Sequence, residues 1–238
     1  MWRLSPLQNG WRVAAGSVAM AAAVGLIGVL DLQGGVQEHL DHLRRAGVPA
    51  RPVKRATELE GLRGLILPGG ESTCLARLLT IFSLKEAIQR AYDDAGLALW
   101  GTCAGAILLA KENRGELPFW GLLDITVQRN AFGSQLDSFQ REALAPAVAR
   151  EPLPLTFIRA PKIVRAGVGV RVLLQLDDYI AAAEDDRILV TVFHPELTPS
   201  LAFHRYFARK CGLKAGADDA TLDPDWTPQS WIRCSPQI

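Results

Sequence analysis

Short apolar runs alternate with amphipathic helical stretches through the first half of this chain, and that alternation limits the fold more than any other feature. "VGLIGVL" (24–30) reads as a buried strand from Gly25 to Leu30. "GVQEHLDHLRRAG" (35–47) carries Val36, Leu40 and Leu43 at helical spacing and stops at Gly47. "ARPVK" (50–54) and "GLILP" (64–68) are strands, the second ended by Pro68. "STCLARLLT" is a helix with Ser72 as its N-cap, and "SLKEAIQRAYDDAG" is a helix ending at Gly96. "LALWG" (97–101) is a strand and "AGAILLAKE" (104–112) a helix. Strands alternating with helices predict an α/β fold, a mostly parallel central sheet with helices on both faces.

The second half is richer in strands: "LLDITVQRN" (122–130), "LTFIRA" (155–160), "VRVLLQL" (170–176), "DYIAAAE" (178–184) and "RILVTVFH" (187–194). "SLAFHRYFARKCG" (200–212) closes as a helix. The sequence carries no repeat and no internal linker, so 24–213 is one domain. Residues 214–238, with Trp226 and Trp231, form an irregular tail. The apolar stretch before Gly25 resembles a signal peptide or weak span, but it is mostly alanine and runs straight into a strand. It is read as an irregular extension, 1–23, with Met20 as the natural start.

Composition removes several functions. With 26 basic and 25 acidic side chains the net charge is +1, so no electrostatic field recruits nucleic acid. The four cysteines (Cys74, Cys103, Cys211, Cys234) show no metal-type pairing, and their scarcity fits a reduced, cytoplasmic protein with no metal site and no membrane partner.

The chemistry concentrates at "LALWGTCAGAILLA", where a strand meets Gly101-Thr-Cys103-Ala-Gly105 and a helix begins. This is nucleophile-elbow spacing with Cys in place of Ser. Glycines on both flanks let Cys103 project from a sharp strand-to-helix turn, and the following helix points its N-terminus at the sulfur. The same five residues also fit a small core residue at a tight turn. A thiol nucleophile needs a proton carrier. His39 and His42 lie three apart on a helix and read as a solvated face; His204 lies in the closing helix. His194 ends an apolar run at "HPEL", and Glu196 stands two residues on, placed to orient it. His194 equally fits a capping or core histidine. In "LILPGGEST" (65–73), Gly69 and Gly70 allow backbone N–H groups to face an oxyanion beside the Ala104 amide, although an ordinary capped turn reads the same way.

Taken together, strand-PGGES, G-T-C-A-G and H-P-E resemble the class I, triad-type glutamine amidotransferases. "IGVLDLQGGVQEHL", "LRGLILPGGEST", "GTCAGAILLAKE", "GLLDITVQRNAFGSQLDSF", "FIRAPKI" and "VFHPELT" resemble the glutaminase-subunit family of pyridoxal 5′-phosphate synthase, from about Val24 to Gly212. The resemblance implies a flavodoxin-like α/β fold and a Cys103–His194–Glu196 triad acting on L-glutamine. It also implies an oxyanion hole from Gly70 and Ala104. Glutamine would be bound by Gly70, Glu71, Ser72, Arg129, Ile158 and Arg159. Ammonia would pass to a synthase subunit, with Gln33 near both the oxyanion hole and that partner, and no cofactor would be bound here. A subunit of this family is expected to be nearly inactive until docked.

Four features depart from the family pattern. Asp31 replaces a small residue and, on an extended strand, would point the same way as Gln33. Ser134 replaces an arginine, "QRN" replaces "ERN", and the approach to "HPE" lacks its usual glycines. Two other readings stand beside the first: the glutaminase of another amidotransferase, and a non-catalytic partner-binding module of the same fold.

Overall fold

The computed structural model describes residues 25–129 and 138–216. The extension 1–23, most of the tail, and Ser134 lie outside them. Among the described residues the order is β1 (Leu26–Leu30), α1 (Val36–Arg45), β2 (Ala50–Val53), β3 (Leu62–Leu67), α2 (Ser72–Ile81), α3 (Leu84–Ala95), β4 (Ala98–Thr102), α4 (Ala104–Leu109), β5 (Ala110–Asn113), β6 (Leu123–Gln128), β7 (Ser138–Ala143), β8 (Leu153–Ile158), β9 (Lys162–Ala166), β10 (Arg171–Leu176), β11 (Tyr179–Glu184), β12 (Ile188–Thr191) and α5 (Ala202–Lys210). Single 3-10 turns occupy Ala56–Leu59 and Pro195–Leu197.

Five strands, in the order β2-β1-β3-β4-β12, pair in parallel. This is the flavodoxin-like doubly wound order, in which the chain steps outward from β1 to β2 and then reverses to β3. Since crossovers share one hand, the reversal sends α1 to one face and α2 and α3 to the other. Beyond β12 the sheet continues through antiparallel β11, β9 and β6, with β5 parallel to β6 at the far edge and β10 hairpinned onto β11. β7 and β8 form a separate antiparallel ribbon.

Strands β1, β3, β4 and β12 are buried almost end to end, as strands covered on both faces must be, while edge strand β2 is buried only at Val53. Trp100 of β4 is fully buried on the face of α1 and α5, with the rings of His39, Phe203, His204 and Phe207 around it. At one end of α5, Glu184 of β11 accepts from Tyr206 at 2.7 Å and Lys210 at 2.9 Å, with Arg171 of β10 on the same carboxylate. That buried acid is paired from three sides and pins the closing helix to the antiparallel half.

Four expectations are corrected. His39 and His42 are buried at 0% and 5% exposure, because α1 turns this face onto α5 rather than to water. The helix after Cys103 ends at Leu109 instead of running to Glu112. The amides of Trp120 and Leu122 take the carbonyls of Leu108 and Leu109, so those carbonyls cannot continue a helical ladder, and Ala110 turns into β5. The N-cap of α2 is Glu71, whose longer side chain reaches the amides of Thr73 at 3.0 Å and Cys74 at 2.6 Å, and Ser72 is the first helical residue. β1 stops at Leu30, so Asp31 lies beyond the strand, Gln33 sits on the bend that follows, and the two share no strand face; Asp31 pairs with Lys54 at 3.2 Å.

Candidate active site

Open α/β sheets hold ligands outside the carboxyl ends of their strands, at the reversal of strand order. Here that crevice lies between the loops after β1 and β3, with β4 beside them. The two loops touch: a Cβ on Gly34, whose φ is +90°, would stand 2.0 Å from the carbonyl oxygen of Gly69. Only a glycine in that conformation lets the backbones approach so closely.

Cys103 stands at the end of β4, immediately before α4, with φ 47° and ψ −100°, a conformation an L side chain adopts at a cost of about 1–3 kcal/mol. The glycines around it are demanded by packing. A Cβ on Gly101 would lie 2.4 Å from the Gly105 carbonyl carbon, and one on Gly105 would lie 2.2 Å from the Leu67 oxygen. The elbow therefore exists because α4 starts in direct backbone contact with β3 and β4. The thiol is 3.9 Å from the Ile158 carbonyl.

His194 leaves β12 with its amide bonded to Thr156 of β8 at 2.8 Å, and Pro195 opens the 3-10 turn that carries Glu196. The imidazole Nδ1 lies 2.8 Å from Glu196 Oε1. With Nδ1 engaged, Nε2 is the nitrogen left to serve Cys103, and the imidazole and the Cys103 side chain both lie against Gly69. Burial opposes a charge on His194, but Glu196 and Cys103 outweigh it and hold its pKa well above the ordinary value. Burial likewise opposes ionisation of Glu196, yet His39 and His194 beside it hold the carboxyl down to about 2. At neutral pH the pair is therefore a carboxylate behind an imidazole that readily takes a proton.

The cleft in front of Cys103 is lined by Gly70, Glu71, Ser72, Cys103, Ile107, Arg129, Ile158, Arg159, Pro161 and His194. Its volume is about 170 Å³, below the roughly 300–1,000 Å³ of pockets for drug-sized molecules. It is a site for a small polar molecule. Every glutamine-binding residue inferred from sequence lines it. Both arginines stand at the rim: Arg129 is held by both oxygens of Glu116 at 2.6 Å and by Glu71 at 3.3 Å, and Arg159 shares with Cys103 a positive φ, 41°. Gln33 lies outside the cleft wall. It donates to the Glu71 carbonyl at 2.7 Å and packs against Gly70, whose φ is +141°. Among the described residues, no cluster of His, Cys, Asp or Glu is arranged to hold a metal, and no helix is long and apolar enough to cross a membrane.

Sequence reasoning missed Glu116 and His39. Glu116 sits in a turn with nothing local to single it out. His39 had a signal, an apolar face on α1 that continues through it, but two histidines among charged neighbours suggested solvent.

A thiol on a strained elbow, backed by a buried histidine–carboxylate pair on a flavodoxin-like sheet, defines the class I, triad-type glutamine amidotransferase architecture. Comparison with known proteins narrows this. The sequence matches the model of the SNO glutamine amidotransferase family over residues 29–213. It is 58% identical over 214 residues to the pyridoxal 5′-phosphate synthase subunit PdxT of Syntrophus aciditrophicus, covering 89% of this chain and 95% of that protein. The PdxT of Thermus thermophilus is 44% identical over 191 residues, covering 79% of this chain and 99% of its own. A crystal structure described as a glutamine amidotransferase, 42% identical, superposes with a TM-score of 0.74 over 79% of this chain and 100% of that one. The chain belongs to the SNO glutamine amidotransferase family. The match to the Syntrophus protein, at 214 residues, is longer than 24–213 and so takes in part of at least one flanking segment.

Proposed function

We propose that this chain is the glutaminase subunit of a pyridoxal 5′-phosphate synthase. It hydrolyses L-glutamine to L-glutamate and ammonia, and ammonia passes to the synthase subunit. The observation that carries the reading is the His194–Glu196 pair behind Cys103, in a cleft sized for a small molecule and flanked by two arginines. The relatives' printed function points the same way.

In this reading Cys103 gives its thiol proton to His194 Nε2, and the thiolate attacks the side-chain carboxamide carbon. The developing oxyanion takes N–H donors from Gly70 and Ala104. His194, protonated on Nε2 and steadied by Glu196, gives its proton to the departing nitrogen, and ammonia leaves a γ-glutamyl thioester. Water, losing its proton to the now neutral His194, attacks the thioester carbon and frees glutamate and the thiol. Arg129 and Arg159 face the α-carboxylate, which guanidinium forks pair with well, and Glu71 and Ser72 hold the polar end of the substrate. A reducing cytoplasm keeps such a thiol nucleophile active.

Gln33 supports partner control. Its amide ties the loop after β1 to the Glu71 carbonyl, next to Gly70. A partner docked on that loop would act on the oxyanion hole through this one contact, so the free subunit hydrolyses glutamine slowly.

The test is ammonia release from L-glutamine, with and without the synthase subunit, for wild type and Cys103→Ala. Release that needs the partner and disappears in the variant supports triad and gating together. Release equal with and without partner keeps the glutaminase and removes the gating. No release in any mixture overturns the catalytic reading.

A further inference from the structure

Behind the triad lies a line of buried imidazoles that the reaction as written does not use. Glu196 is 2% exposed, and only its Oε1 is taken by His194. Its Oε2 makes no hydrogen bond and faces His39 Nε2, likewise without a hydrogen-bond partner, at 3.4 Å, both side chains being wholly buried. His39 Nδ1 lies 2.9 Å from His204 Nε2. These contacts admit one consistent set of protons. An ionised Glu196 only accepts, so His39 must carry its proton on Nε2. His39 Nδ1 is then a bare acceptor, so His204 must carry its proton on Nε2. The alternative tautomer of His39 would aim a lone pair at a buried carboxylate and leave that oxygen without a donor, which is costly.

We propose that His39 is a positioning residue for the glutaminase reaction, its Nε2–H fixing Glu196 Oε2 so that Oε1 is held on His194, with His204 setting the His39 tautomer. This rests on the triad reading given above. His39 never touches substrate. It acts by restricting how the carboxylate can rotate, as outer-sphere partners do for ligating carboxylates and histidines elsewhere. The groups facing His39 are His42 on its own helix, His194 and Glu196 on the 3-10 turn, and His204 on α5. Burial, partly offset by Glu196 and reinforced by His42 and His194, lowers the His39 pKa to about 4. It is therefore neutral at working pH and donates without competing as a cation for Glu196. α1 packs so closely here that a Cβ on Gly35 would meet Glu196 Cγ at 3.0 Å, which makes the helix a rigid backing for the acid.

The test compares His39→Gln, His39→Asn and His39→Leu in the full chain with the synthase subunit, after confirming each fold by melting. A glutamine amide reaches the depth of imidazole Nε2 and can still donate to Glu196. An asparagine amide stops at the depth of Nδ1, able to meet His204 but short of Glu196. H39N and H39L are expected to lose kcat by about ten- to a hundredfold, the scale of one hydrogen bond to a charged group, with KM for glutamine within about twofold. H39Q is expected to recover most of the rate. Equal activity in H39N and H39Q, or wild-type kcat in a folded H39L, overturns the proposal. If H39L does not fold, the Asn–Gln comparison decides alone. If wild type releases no ammonia, the glutaminase reading fails, and the alkylation rate of Cys103 by iodoacetamide decides the role of His39: slowed in H39N and near wild type in H39Q supports it, and identical rates sink it.

Discussion

Gly105 at the start of α4 faces Leu67 at the end of β3 so closely that a Cβ would lie 2.2 Å from the Leu67 carbonyl oxygen. The partner in that contact is backbone, which cannot rotate away as a side chain could. Gly105→Ala must then push α4 off β3 and move Cys103, the residue joining β4 to α4. The expected outcome is a loss of about 1–3 kcal/mol in urea unfolding together with a larger fractional loss of glutaminase activity. An alanine variant with wild-type stability and rate would show that the elbow does not need this approach.

Arg129 is satisfied before substrate arrives, by Glu116 and more weakly by Glu71. Glu116 is about half exposed, at 50%, and exposed pairs are worth only about 0–1 kcal/mol, so a substrate carboxylate can displace it. Arg129→Ala is expected to raise the glutamine KM by about tenfold or more, the loss of a charge-assisted pair, with kcat changed much less. Glu116→Ala removes the competitor and is expected to lower KM by up to about fivefold, within the range of one exposed pair. A KM that rises in the second variant would mean that Glu116 holds Arg129 in place for the substrate.

Asp31 departs from the family pattern, and the structure gives it a partner. Lys54 on the next strand's exit lies 3.2 Å away, with the lysine side chain 62% and the aspartate 30% exposed. A pair so open to water contributes about 0–1 kcal/mol, so Asp31→Ala is expected to melt close to wild type. Partner-stimulated ammonia release in this variant should also stay near wild type, because the contact to the oxyanion hole runs through Gln33 and not through Asp31. A collapse of stimulation in D31A, with Gln33 intact, would place the carboxylate in the docking surface.

Most of the parallel half of the fold was legible because β1, β3, β4 and β12 are largely buried and read as apolar runs, whereas edge strand β2, "ARPV", is short and partly exposed. Cys103, His194 and Glu196 each had an ordinary structural reading alone; they stood out because PGGES, GTCAG and HPE occur together in the order of a known family. The strands β7 and β9 were not legible. "SFQREA" is mostly exposed and polar, and "KIVRA" is a five-residue strand bounded by charged residues, so neither carries a long apolar run. The burial of His39 was hidden too. Its environment is made by Trp100, Glu196 and His204, all distant in sequence, and a helix read alone shows only that a polar ring interrupts an apolar stripe. The α2 cap was misjudged locally. Glu71 and Ser72 both suit a helix start, and only the backbone shows which side chain reaches Thr73 and Cys74.

The buried imidazoles also predict how stability depends on pH. Burial lowers His39 to about 4 and His204 well below 6.5, so in the range below 6.5 the unfolded chain takes up protons that the folded one refuses. Stability therefore falls as pH drops from 6.5. Glu196, ionised down to about 2 against an ordinary 4.5, adds a second loss between those values, because the unfolded carboxyl protonates first. His194 acts in the opposite sense. Its pKa is raised, so its contribution is complete below 6.5 and is lost as pH climbs through the folded value. Urea midpoints should thus be highest near neutrality and decline on both sides. Each refused proton contributes a slope of up to about 1.4 kcal/mol per pH unit, so His204→Leu, which removes one such group, is expected to flatten the limb just below pH 6.5 by up to about that amount even if its stability at pH 7 is lower. Hydrogen-ion titration of folded against unfolded protein over the same range checks the count directly, and an unchanged acid slope in H204L would show that His204 titrates normally in the folded chain.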